Sequence, residues 1–143
     1  MEKMVSEVEV EWIENFRSKL KVKDFPEIVL DEPPEMGGTD TGPCPVHLLA
    51  ASIASCLLAS YIYCAKKARV KLKGAKVKAR AESEWAKGAM RVKEVHVNLE
   101  LNPAGGVSRK RAELCVKVFR NFCIVTESVI KGIPVNVEVN ITP

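Results

Sequence analysis

From Val46 to Ala65 the chain reads VHLLAASIASCLLASYIYCA, twenty residues without a formal charge. Length and apolarity of this kind permit a membrane-spanning helix. His47, Ser52, Ser55, Ser60 and the weakly apolar alanines argue against one, as does a remainder that alternates like a soluble sheet. The run is therefore expected to be a buried central helix. A helix apolar on every face must be covered on every face. Its small residues, Ala50, Ala51, Ser52, Ala54, Ser55, Ala59 and Ser60, let neighbouring backbones come close. The basic KKAR at 66–69 ends it with the charge that a helix C-terminus prefers.

The rest of the chain offers about six strands, too few to supply that cover alone. Ahead of the run, Val5, Val8, Val10 and Trp12 keep an approximate period of two, and Leu20, Val22 and Ile28 to Leu30 follow after short breaks. This predicts strands, with Pro26 dividing the later run into two shorter ones. DEPPEMGGTDTGPCP at 31–45 holds four Pro and three Gly in fifteen residues and is irregular backbone. Such a loop bridges distant elements or carries function. Asp40 or Thr41 is the expected cap of the helix behind it.

After the helix, KLKGAKVKARAESEW and RVKEVHVNLELN alternate over long stretches, with a slip at Gly74. The short connection AKGAM predicts an antiparallel hairpin. Ala112, Cys115, Val116 and Phe119 recur at helical spacing, predicting a second helix from Ser108 as cap to Phe122, with another helical turn at 124–131. IPVNVEVNI reads as a final strand. The order is that of an α+β fold, and 143 residues are one domain's worth, spanning 1–143.

Composition narrows the function. Twenty-two basic against eighteen acidic residues leave a net charge of +4, and fifteen Lys are interleaved with fifteen Glu. With 6% aromatics there is no base-stacking platform, so no nucleic-acid partner is expected, and no membrane either. MEKMVSEVEVEW is charged and alternating rather than a secretory leader, which predicts a cytoplasmic protein. Five cysteines in that setting point to redox, metal or nucleophile chemistry before structural disulfides. The Lys/Glu richness and the absence of Gln lean towards a thermophile, where an intracellular disulfide is in keeping.

Cys56 sits in the middle of the apolar helix and Cys123 at the end of the second one. Helix-on-sheet packing can bring these elements together, although a free cysteine also serves as a small buried hydrophobe. Cys64 and Cys115 read as core. Cys44 and His47 form C-x-x-H, two ligands where zinc needs about four. His96, between Val95 and Val97, is expected at the surface. No cofactor and no resident metal are expected.

The run DEPPEMGGTDTGPCPVHLLAASIASC closely resembles the OsmC/Ohr family of thiol peroxidases, which includes the organic hydroperoxide reductases. NFCIVTESVIKGIPVNVEV resembles the family's second signature, a Cys before a short helix and a final strand. The resemblance implies the OsmC-like fold, with antiparallel sheets around a long buried helix in an intertwined homodimer. It implies a peroxidatic Cys56, a resolving Cys123, a peroxide substrate and an external dithiol reductant. The rival reading is a non-catalytic protein on the same fold that binds a small hydrophobic molecule or senses redox state.

Two positions depart from the pattern. Val46 stands where many peroxidase members carry a Glu ten residues before the first Cys, and His47 where a related branch carries Glu in P-V-E-L-L. Nine residues at about 100° each put His47 on the helix face opposite Cys56, about 13 Å along the axis. His47 can therefore support Cys56 only from a partner subunit, through the loop, or if the helix starts later. Otherwise it satisfies backbone groups at the helix start. Arg17 is the candidate for the family's arginine.

Overall fold

The computed structural model describes residues 2–142. The N-terminal alternation becomes three short strands, β1 (Glu9–Glu14), β2 (Arg17–Lys21) and β3 (Ile28–Leu30), antiparallel and ordered β1-β2-β3. Opposite charges face one another across β1 and β2, Glu9 against Lys21 and Glu11 against Lys19. The second pair closes to 3.2 Å, an exposed contact that adds little to stability. Pro26 lies in the break between β2 and β3, as a residue without an N–H should.

The loop that follows is built around one carboxylate. Asp31, only 1% exposed, accepts hydrogen bonds from the hydroxyls of Thr39 (2.6 Å) and Thr41 (2.7 Å) and from the backbone N–H groups of Glu32, Thr39 and Thr41. Two glycines let the chain fold back this closely. A Cβ on Gly38 would overlap the Glu32 carbonyl, and one on Gly42 the Val29 carbonyl. The Thr39 hydroxyl does most to hold the Asp31 carboxyl far below its ordinary 3.8; burial opposes it, and Thr41 and the Glu32 N–H add to it. Because the folded value is the lower one, this stabilisation is complete above about pH 4 and fades as the pH falls towards the depressed value. Urea midpoints at pH 7 and pH 3 should therefore differ more for the wild type than for Asp31→Asn, which has no carboxylate to protonate. Equal pH dependence in the two proteins would remove Asp31 as the loop's organiser.

α1 spans Pro45–Lys67. Its start corrects the expected cap. Asp40 is in the left-handed region at φ 55°, and the Thr41 hydroxyl is committed to Asp31. The helix instead opens on Pro45, whose missing N–H costs nothing in a first turn. Cover is incomplete within one chain. Ala50, Ile53, Leu57, Ser60, Tyr61 and Ala65 are buried, but Ala51, Ser55, Ala59 and Ile62 form an open stripe at spacings of four and three. One chain covers one side of this helix. It is long and apolar enough to cross a membrane by length and composition, and the only such helix among the described residues.

β4 (Leu72–Ala86) and β5 (Ala89–Pro103) form the expected hairpin. Lys87 and Gly88 make its two-residue tip with φ of 50° and 82°, the paired left-handed geometry that matches strand twist. Val77 and Ala79 on β4, and Val95, Val97, Leu99 and Leu101 on β5, are half-buried between exposed polar neighbours, and Ala81 is half-buried beside a half-buried Glu82. His96 is exposed, with Nε2 3.3 Å from Glu94.

α2 spans Val107–Val118 and tightens into a 3-10 turn at Phe119–Phe122; α3 spans Ile124–Lys131. Gly106 precedes α2, and Ser108 lies inside it, where its hydroxyl accepts the Lys71 N–H at 3.3 Å. The predicted final strand is absent: residues 133–142 form no paired strand. A strand exists only against a neighbour, and among the described residues this segment has none.

The chain divides into two compact units, one of Met1–Ala50 with Ala81–Lys93 and the other of Ala51–Arg80 with Glu94–Pro143. In the second, Leu57, Tyr61 and Ala65 of α1 and Ala112 and Cys115 of α2 are buried together with Phe119. Tyr61 and Phe119 meet edge to face at 5.6 Å, and the Tyr61 hydroxyl donates to the Ala112 carbonyl at 3.1 Å. Val116, expected in the core, is exposed.

Candidate active site

Cys56 and Cys123 come together in the second unit. Cys56 is half-buried at the middle of α1, and Ser60 follows one turn later on the same side, buried. Cys123 lies where the 3-10 turn ends. Its extended backbone (φ −84°, ψ 95°) turns the chain into α3, and it is 1% exposed. The Cys123 thiol donates to the Thr126 hydroxyl at 2.9 Å, and the Val125 N–H donates to Cys56 Sγ at 3.4 Å. The first turn of α3 thus aims its unpaired backbone donors at both sulfurs, where a helix favours negative charge.

Burial alone would push the Cys123 thiol up. Once ionised, the sulfur accepts hydrogen bonds from the Thr126 hydroxyl and backbone, from Cys56 and from Ser60, and these outweigh burial, so the pKa falls below the ordinary 9.0. The site is two neighbouring thiols, Cys56 half-buried and Cys123 enclosed among donors. Such a pair can be oxidised to a disulfide and reduced again. Sequence reasoning missed Ser60, Thr126 and the Val125 N–H. The signals were there: Ser60 is four residues after Cys56, and Thr126 three after Cys123 at a helix start.

The other two candidate residues belong to the first unit. α1 begins at Pro45, so His47 is in its first turn and the helix does not start later. His47 Nδ1 accepts the Cys44 N–H at 3.1 Å, the work of a residue satisfying backbone at a helix start. Arg17 donates through Nε to Thr41 Oγ1 at 3.1 Å and pairs with Glu14 at 3.0 Å. It bonds the same Thr41 hydroxyl that bonds Asp31, which makes it a brace of the loop. Cys44 and His47 gain no third ligand among the described residues.

A family model described as OsmC-like protein matches residues 38–138. The chain belongs to the OsmC family. The matched span includes Gly38, His47, Cys56 and Cys123; Arg17 lies outside it. No curated protein matches the chain. Among solved structures, an OsmC-like protein of unknown function from Vibrio cholerae superposes with a TM-score of 0.76 at 14% identity, over 88% of this chain and 94% of that one. A hypothetical protein from Aquifex aeolicus gives 0.69 at 25% identity, over 90% and 89%. An organic hydroperoxide resistance protein OsmC from Legionella pneumophila gives 0.66 at 17%, over 90% and 91%. These establish the OsmC-like fold, α+β with antiparallel sheets and a long helix.

The His47 hydrogen bond carries an expectation of its own. In a local role, His47→Ala should leave alkylation of Cys56 within about twofold of wild type from pH 5 to 9. A tenfold slowing, about 1.4 kcal/mol in the barrier, would bring His47 into the chemistry.

Proposed function

We propose that this OsmC-family protein reduces hydroperoxides in the cytoplasm by way of Cys56 and Cys123, with an external dithiol as reductant. The observation that supports it best is the pairing of an accessible Cys56 sulfur with an enclosed Cys123 under the first turn of α3. The Cys56 thiolate attacks the terminal peroxide oxygen. The O–O bond breaks, a sulfenic acid forms, and the alkoxide leaves and takes a proton as the alcohol. The Cys123 thiolate then attacks the Cys56 sulfur. The S–O bond breaks, the disulfide forms, and the expelled hydroxide is protonated to water. A dithiol returns two electrons and two protons by exchange. Peroxide reaches Cys56 because that sulfur is the more exposed, and Cys123 answers because its neighbours favour the thiolate.

The test is consumption of cumene hydroperoxide with a dithiol donor. Wild type should turn over and Cys56→Ser should not. Equal consumption by both would overturn the reading. Val46 in the position of the family's Glu favours the alternative, a binder of small hydrophobic molecules. That protein would retain its ligand and consume no peroxide.

The same reading takes the protein to be a homodimer. Two observations support it: the open α1 stripe, and the C-terminal segment in which Val135, Val137, Val139 and Ile141 alternate with polar residues and remain exposed. A second copy can cover the first and pair with the second. Light scattering at micromolar concentration should give about twice 15.8 kDa, and a mass of one chain would refute the dimer.

A further inference from the structure

A second pair of sulfurs, which the proposed reaction does not use, lies across the seam between α1 and α2. Cys64 Sγ and Cys115 Sγ are 2.7 Å apart, although 51 residues separate them in sequence. That is about 0.7 Å longer than a disulfide bond of about 2.05 Å, so little movement is needed to close it. The seam is rigid. Tyr61, one turn before Cys64, is fully buried, packs against Phe119 and bonds the Ala112 carbonyl, one turn before Cys115. The two sulfurs differ in access: Cys115 is 2% exposed and Cys64 half-buried.

We propose that Cys64 and Cys115 form a second disulfide under hydroperoxide, a redox-dependent cross-link that clamps α1 to α2. Cys64, the reachable sulfur, attacks the peroxide. Its S–O bond forms, the O–O bond breaks, and the alcohol leaves with one proton. Cys115 then attacks the Cys64 sulfur, its own proton leaves with the expelled hydroxide as water, and the S–S bond forms. In sum, two thiols and one hydroperoxide give one disulfide, one alcohol and one water. Burial, with Cys64 beside it, pushes the Cys115 thiol up to about 12, so it stays protonated and inert until Cys64 has been oxidised. The bond needs neither Cys56 nor Cys123 and is independent of the proposed turnover.

Peptide mapping of full-length wild type after excess cumene hydroperoxide tests this, because the two links give different peptide pairs. The expected result is a Cys64–Cys115 pair, present also in a Cys56→Ser/Cys123→Ser variant. A link that closes a loop of this length should raise the Tm of the oxidised protein by about 8 °C or more, reversed by dithiothreitol. Cys115→Ala in the same background should show no such reversible shift. Free Cys64 and Cys115 thiols in oxidised, folded protein would overturn the proposal, whatever the state of Cys56 and Cys123. So would Cys64 joined to any other cysteine.

Discussion

In a Cys123→Ser protein, one equivalent of hydroperoxide is expected to leave a sulfenic acid on Cys56 that dimedone traps, while steady-state turnover falls at least a hundredfold. The first oxidation needs only Cys56, the more accessible sulfur, and the resolving step needs the second. The reverse variant, Cys56→Ser, should resist oxidation at Cys123, because that sulfur is 1% exposed and peroxide cannot reach it. The pH behaviour follows from the same geometry. Burial works against the Cys123 thiolate, and the bonds from Thr126, Cys56 and Ser60 more than compensate, so disulfide closure should run at a lower pH than an ordinary thiol allows. Thr126→Val removes the hydroxyl and should move that pH dependence upward. Dimedone adducts on Cys123 in the Cys56→Ser protein would reverse the two roles.

Tyr61→Ala is expected to cost about 3–5 kcal/mol of stability, read from urea unfolding midpoints. The ring is fully buried, touches Phe119 edge to face, and lies at the centre of the seam between α1 and α2. Few substitutions should cost more, and a total stability of about 5–15 kcal/mol leaves little reserve. Tyr61→Phe separates packing from polarity. It keeps the ring and deletes only the donor to the Ala112 carbonyl, which should cost about 1 kcal/mol. Burial, with Cys115 and Cys64 nearby, raises the Tyr61 phenol above its ordinary 10.0, so the hydroxyl remains a donor through neutral pH. If Ala and Phe cost the same, the hydrogen bond rather than the ring holds the seam.

The elements whose cause is local were legible in the sequence. The charge-free run became α1, and the alternating stretches on either side of Lys87–Gly88 became the hairpin, because residue period and turn chemistry act over a few positions. Ala112 and Cys115 were recognisable as core for the same reason. What escaped depends on groups distant in sequence. Asp31 looked like the edge of an irregular loop, yet it gathers donors from Thr39 and Thr41, eight and ten residues on. Asp40 and Thr41 both have the residue type of a helix cap, but Asp40 has a left-handed backbone and the Thr41 hydroxyl is committed to Asp31. Cys56 and Cys123 stand out by position and the resemblance gives them roles, but spacing could not show that α3 directs an N–H at the earlier sulfur from 69 positions away. The final strand failed for a different reason. Its pattern is strand-like, but pattern does not supply a neighbour.

That unpaired segment has a consequence for how the protein is made. VNVEVNI at 135–141 has β-branched residues at every second position, a single charge at Glu138 and no proline, the composition of a cross-β seed. Each newly synthesised chain exposes it from the moment its own helices have packed. In the proposed dimer, pairing of this segment with a second copy then competes with stacking against the same segment of any other unfinished chain, and both rates rise with concentration. Glu138 is the gatekeeper in that competition, since its charge opposes in-register stacking of many copies far more than it opposes a single pairing. Slow synthesis at moderate temperature should accordingly favour soluble protein over inclusion bodies.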